Sequence, residues 1–384
     1  MTKVALLGFG AGSSNMGCVA LTYSFVEMLK SICDCNNLEI HVYGYEGLGK
    51  IQELYPEIKF IYHRLHLKKI SYCLKMKKEF DQMDCIFDVT FGDGFSDIYG
   101  KKWNAITDLA KQIAINSKTP FVLLPQTYGP YYQFYLRKWA HSLIKKSDKA
   151  YSRDAISAKE VNSVIGDKVV EATDLAFLLP FNKDIYSFED NKFKIGFNVS
   201  SLLWFGGHSD TIHLGINYKD YCKQVIDYCI NEKNYEVFII PHVIDNENYD
   251  AGENDVKACT EVHKMIPETV MAPAFNTPIE AKSYISNMDI FLGARMHATI
   301  GALSSGVPCI PLSYSKKFEG LFGNLDYPYV VSAITENTKT AVDITKEYIC
   351  QYDSLVKARD LSMRKVDEKL MRVEKDIKEY LVKQ

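Results

Sequence analysis

The chain has no surplus of positive charge: 45 Lys and Arg stand against 48 Asp and Glu, a formal net charge of -3. That excludes nucleic-acid binding driven by a general basic surface, and any anion site must be local. No apolar run approaches the roughly 18–20 residues needed to span a bilayer. The start, from Met1 to Gly10, enters a strand pattern within three residues and reads as lacking a secretion signal. Internal repeats, low-complexity tracts and heptads are missing. Metal-ligand spacing is missing too. The ten cysteines are scattered, and Cys33 and Cys35 lie too close for an ordinary disulfide or a CxxC knuckle. Free thiols in a reducing cytoplasm are the expectation, with no bound metal.

What is present is an ordinary globular balance, 47% hydrophobic and 24% charged residues over 384 positions, long enough for two α/β domains. Val4–Leu7 reads as a buried strand, the turn from Gly8 to Gly12 follows, and apolar residues from Met16 to Cys33 fall at helical spacing. Further strands are expected at Glu39–Tyr43, Cys85–Thr90, Phe121–Leu124 and Lys149–Ser152. After a linker at Leu179–Lys183 a second series is expected at Lys194–Val199, Tyr235–Pro241, Asp289–Gly293 and Pro308–Ser313. Strand, loop, helix, strand in succession predicts parallel sheets with crossover helices. The stretch from Ile334 to Gln384 predicts one or two amphipathic helices packed on the body. Two doubly wound domains facing a cleft follow, with ligands at the strand carboxyl ends.

The loops at those strand ends hold the candidate chemistry. Gly8–Gly17 suits an anion at a helix start, or a tight turn capped by Asn15; it is neither a P-loop nor a dinucleotide fingerprint. Asp93 and Asp97, in a loop with Gly92 and Gly94, could hold sugar hydroxyls or cap a helix. Gln126 lies in another strand-end loop. Arg153 either pairs with Asp154 or Asp174 or clamps a carboxylate or phosphate. The strongest local signal is Gly293-Ala-Arg-Met-His-Ala298, where a buried strand runs into a small-residue helix. His297 near that helix start should favour the neutral, proton-accepting imidazole, and Arg295 beside it can hold an anion. Lys317, past the next strand, is either a solvated residue or a second cation for the same cleft.

Taken in order, Asn15-x-Gly17, Gly92–Asp97, Gln126-x-x-Gly129-Pro130, Ser152-Arg-Asp154, Thr173-Asp-Leu-Ala176, Gly293–Ala298, Gly306-Val-Pro308 and Ser313-Tyr314 with its lysines resemble the polysaccharide pyruvyl transferases. The resemblance covers roughly residues 4 to 325. It implies a GT-B-like α/β fold of two Rossmann-like domains: residues 1–180 on the acceptor side, 190–335 on the donor side, and helices over 336–384 packing back on the body. It implies phosphoenolpyruvate as donor substrate with no cofactor, a sugar acceptor carried on an undecaprenyl lipid, and a cyclic pyruvate ketal as product. The setting would be capsule or exopolysaccharide synthesis in the cytoplasm, with peripheral contact at the inner membrane face and a homo-oligomer both compatible. By the same resemblance His297 is the general acid/base, Arg153, Arg295 and Lys317 hold the donor, and Asn15, Asp93, Asp97 and Gln126 serve the acceptor. One departure stands out: the family's glycine run is interrupted here by Asp93. Two rivals remain on this reading, a nucleotide-sugar glycosyltransferase using the same cleft and a non-catalytic glycan-binding subunit.

Overall fold

The computed structural model describes residues 1–189, 192–206, 213–245 and 253–382. The chain divides into two compact units, each built on its own sheet. The first takes Met1–Ser13, Leu21–Leu175 and the chain from Asp367 on; the second takes Ser14–Ala20 and Ala176–Val366.

The first sheet comprises β1 (Thr2–Leu7), β2 (Leu38–Gly44), β3 (Lys59–Arg64), β4 (Cys85–Asp88), β5 (Phe121–Gln126), β6 (Lys149–Ser152) and β7 (Val169–Glu171). Their order is β3-β2-β1-β4-β5-β6-β7, and every pairing is parallel. The second comprises β8 (Lys194–Asn198), β9 (Glu236–Ile239), β10 (Val270–Met271), β11 (Ile290–Gly293), β12 (Cys309–Ser313) and β13 (Val331–Ser332), ordered β10-β9-β8-β11-β12-β13 and again all parallel. Both are doubly wound. The order reverses beside β1 in one sheet and beside β8 in the other, the points where such sheets open a crevice at their carboxyl edge.

The reason lies in the central strands. β4, β5, β8, β11 and β12 are buried along their whole length, so their middles read as apolar runs and need helices on both faces. The strands that escaped the sequence reading, β3, β7, β10 and β13, all lie at or next to a sheet edge. β3 carries Lys59, His63 and Arg64, and the other three have two or three residues each. The strand expected to reach Thr90 stops at Asp88, because Thr90 and Phe91 take φ of 37° and 56°, a left-handed region that non-glycine residues rarely enter.

The region after Ile334 forms the expected helix pair, Thr338–Cys350 and Tyr352–Val382. The longer helix buries Val366, Leu370, Val373, Ile377 and Leu381, an i, i+4, i+7 stripe along one face. Its last turns are fastened within the first unit: Tyr151 Oη donates to Asp376 at 2.5 Å, Lys149 pairs with Asp376 at 2.8 Å and Lys369 with Glu171 at 2.5 Å. All ten cysteines are free thiols. Among the described residues no helix is long and apolar enough to cross a membrane.

Candidate functional site

In the second unit the carboxyl ends of β8, β9 and β11 converge on one buried carboxylate, Asp255. It opens the helix Asp255–Met265 behind the cap residue Asn254, whose side chain accepts from Val256 N–H. Asp255 accepts from Ser201 N–H at 2.9 Å, from Val243 N–H at 3.0 Å and from His242 N–H at 3.3 Å. Arg295 completes the set. Its Nη2 donates to Asp255 at 2.8 Å and its Nε at 3.2 Å to each oxygen, while Nη2 also reaches the Glu253 carbonyl at 2.9 Å. The remaining nitrogen, Nη1, lies 3.8 Å from the Glu253 carboxylate. Two side-chain bonds from one planar fork fix the guanidinium's orientation as well as its charge. Burial alone would lower the Arg295 pKa; Asp255, with Tyr314 and Glu253, more than reverses that and raises it.

Arg295 is also the cap residue of the helix Met296–Ser304, and its backbone N–H donates to the Asn198 side chain at 3.0 Å. Asn198 in turn donates to Ile240 C=O at 2.9 Å, so β8 holds both neighbouring strand ends in register. His297 follows in the first helical turn, half-buried. The floor beneath its ring is Gly17. A Cβ built on Gly17 would lie 2.3 Å from His297 Nδ1, so any larger residue there displaces the imidazole. Asn15, exposed two residues earlier, folds this segment by accepting from Gly17 N–H at 2.9 Å, and its backbone bridges Val243.

His242 was not anticipated. It follows β9 at Pro241-His242, is 5% exposed, and lies close enough to His297 and Arg295 for their charges to act on it. Burial pushes its pKa down to about 3; His297 and Arg295 push the same way and Asp255 opposes them. It is therefore a neutral imidazole at any physiological pH. Asp255 was also missed. A His directly after a buried strand is the same positional signal that singled out Arg295 and His297. Asp255 carries no such signal, since an Asp at a helix start reads as a cap. The helix Lys316–Asn324 begins just past β12, but the Lys317 side chain lies outside the described residues.

The first unit places the other candidates. Arg153, at the end of β6, is 2% exposed, donates through Nη1 to Asp174 at 2.7 Å and through Nε to Thr127 at 3.0 Å. Of the two acids expected to pair with it, Asp154 instead caps the helix Ala155–Ile165, accepting from Ser157 N–H at 2.7 Å. Burial would lower the Arg153 pKa; Asp174 and then Asp93 raise it. Gly92 is required twice over, by its φ of 86° and because a Cβ would meet Arg153 Nη1 at 2.9 Å. The Asp93 carboxylate is half-buried and receives the Tyr99 hydroxyl at 3.0 Å. Asp97 spends both oxygens on the Tyr132 and Gln133 N–H groups, at 3.0 and 2.7 Å, a loop tie in place of a cap on the helix that follows it. Gln126 is wholly buried and donates to Asp88. A pocket at the ends of β1 and β4, lined by Gly8, Tyr45, Asp88, Phe91 and Trp103, encloses about 20 Å³. That is room for roughly one water and not for a sugar ring. Among the described residues no group of His, Cys, Asp and Glu is arranged to hold a metal ion.

Solved structures of the same architecture include UDP-GlcNAc 2-epimerase from Neisseria meningitidis bound to UDP-GlcNAc, with a TM-score of 0.62 at 14% identity over 100% of both chains. A glycosyltransferase from Rickettsia africae ESF-5 gives a TM-score of 0.61 at 12% identity, covering 100% of this chain and 99% of the other. Anabaena HepE in complex with UDP and glucose gives 0.59 at 11% identity over 100% of both. At such identities the likeness establishes the GT-B-like fold alone. No curated protein sequence matches the chain. The sequence pattern of one family, polysaccharide pyruvyl transferase, does match, and it spans residues 15–316, from the loop beneath His297 to the start of the helix after β12. The chain belongs to the polysaccharide pyruvyl transferase family.

Proposed function

We propose that the protein transfers the enolpyruvyl group of phosphoenolpyruvate to a sugar of a lipid-linked cell-surface polysaccharide precursor, closing a pyruvate ketal. The observation that carries this reading is the Arg295–His297 turn, a guanidinium locked by Asp255 and an imidazole resting on Gly17 at the carboxyl edge of β11. The donor bears a carboxylate and a phosphate, so cations and the unpaired N–H groups at a helix start are a physical requirement for it. Arg295 Nη1 and the first amides of the helix Met296–Ser304 are offered for that set, with Arg153 and Lys317 assigned to the donor on family resemblance alone.

In the proposed reaction a sugar hydroxyl adds to C2 of the donor, giving up its proton, while C3 gains one to become a methyl group. The C2–O bond to phosphate then breaks and phosphate leaves. A second hydroxyl of the same sugar bonds to C2 and loses its proton, completing the ketal. His297 shuttles the protons. His242, held neutral beside it, adds no competing positive charge. Asp93 and Asn15 are assigned to the acceptor.

Ligand-induced thermal stabilisation tests the donor, because a ligand that binds only the folded state raises its apparent stability. Phosphoenolpyruvate should stabilise the wild type and not Arg295→Ala, and UDP- and GDP-sugars should do neither. A shift with a nucleotide sugar alone would transfer the assignment to a glycosyltransferase.

A further inference from the structure

The first unit carries a surface that none of the proposed chemistry uses. Tyr132, Phe134 and Tyr135 are 74%, 59% and 57% exposed, and Ile98 and Tyr99 are 40% and 54% exposed. Single exposed apolar residues need no explanation, but a contiguous set does. Here the set is contiguous because the two loops are tied together. Asp97 binds the Tyr132 and Gln133 amides, Tyr131 Oη donates to Phe95 C=O at 2.7 Å, and Gly129 N–H donates to the same carbonyl at 2.9 Å.

Apart from Asp93, which accepts from the Tyr99 hydroxyl, and Asp97, which ties the loops, the charge along these segments is basic. From Gly129 to Ser147 the chain has no acidic residue but includes Arg137, Lys138, Lys145 and Lys146, all exposed, and the exposed Lys101 and Lys102 open the helix after Tyr99. Lys138 Nζ stands 4.5 Å over the Phe134 ring and Arg137 5.7 Å from it, so cations and aromatics form one face. This is a local concentration on a chain whose net charge is -3. The C-terminal helix, the other lysine-rich stretch, is different: Tyr352–Val382 holds eight basic against seven acidic residues, and Lys365 and Lys369 are already paired with Asp326 and Glu171.

We propose that the first unit docks on an anionic lipid surface through this aromatic–basic face, with Tyr132, Phe134 and Tyr135 at headgroup depth and Arg137 and Lys138 on the lipid phosphates. Amphipathic rings favour that depth, and Lys or Arg side chains near an anionic leaflet are drawn to it. A lipid-borne acceptor would be met at such a surface. Vesicle binding needs no acceptor and no turnover, so its failure would leave the transferase assignment standing.

The test is co-sedimentation of the full chain with phosphatidylcholine vesicles with and without phosphatidylglycerol. Wild type, Tyr132→Ser/Phe134→Ser/Tyr135→Ser and Arg137→Glu/Lys138→Glu are compared after their melting temperatures are shown to match. The wild type should pellet with the anionic vesicles only. Either variant, or high salt, should cut that binding by about tenfold or more, the salt effect arising from screening of exposed charges. Three results would overturn the proposal: wild type remaining in the supernatant, the aromatic variant pelleting as well as wild type, or sedimentation velocity revealing a wild-type dimer that this variant splits. The last would give the face to a second copy of the chain.

Discussion

The two units solve the same problem at their sheet edges with different neighbours. Each ends a strand in a buried arginine locked to a buried aspartate, Arg153 on Asp174 and Arg295 on Asp255, and each packs a glycine against the working side chain. Around Arg153, however, the next charges are Asp93 and Asp154, so carboxylates outnumber the cation. Around Arg295 the described neighbours include His242 and His297, with Glu253 a further carboxylate acting on it beside Asp255. An acid-rich edge suits neutral hydroxyls, which carboxylates accept. An edge with an arginine and imidazoles suits an anion. On the proposed assignment the donor takes Arg295 with Arg153, and the acceptor takes Asp93 with Asn15, so neither substrate draws on one unit's residues alone.

That contrast can be broken most sharply at His297. His297→Ala should lower turnover by about a hundredfold or more at unchanged melting temperature, as expected for loss of a general acid/base; near-full turnover in a folded variant would remove His297 from the chemistry. Asp255→Ala should act on stability instead. It strands a buried guanidinium and three N–H donors, at a cost of about 3–5 kcal/mol measured by denaturant titration. Arg153 gives the matching experiment in the first unit: Arg153→Met should weaken stabilisation by phosphoenolpyruvate as Arg295→Ala does, and an unchanged thermal shift would remove Arg153 from the donor site.

A subtler test concerns Gly17. Gly17→Ala adds one methyl group at a helical position, so stability should move by no more than about 1 kcal/mol. Turnover should nonetheless fall, because the methyl group meets His297 Nδ1. A last effect is a pH slope. The His242 pKa is lowered to about 3, against 6.5 for an ordinary His. Between those values the unfolded chain binds a proton that the folded one does not, so stability falls as pH drops through that window, by up to ~1.4 kcal/mol per unit. Above pH 6.5 the term is constant. His242→Gln should flatten the slope between pH 7 and pH 5.

The sequence made some of this plain and hid the rest for identifiable reasons. Long buried strands such as Val4–Leu7 and Phe121–Leu124 announce themselves, because burial on both faces leaves no polar position to blur them. Short edge strands such as Val270–Met271 have too few residues to carry a period at all. Arg295 and His297 were legible because one motif holds both. Asp255 was not, since its partners come from β8, β9 and β11 and only folding brings them together. Asp97 shows the converse: its charge and loop suggested a ligand contact, and its oxygens serve two backbone amides. The units also exchange segments at Ser14–Ala20 and beyond Val366, which no local pattern records.

That last exchange bears on how the chain is made. Domains emerging from a ribosome usually fold in order, amino-terminal first. Here the first unit lacks its closing helix until Val373, Ile377 and Leu381 have been synthesised, so Tyr151 and Lys149 wait more than half the chain for Asp376. The part translated first is the part completed last, and a nascent chain stalled before Asp367 would hold a finished second unit beside an unsealed first.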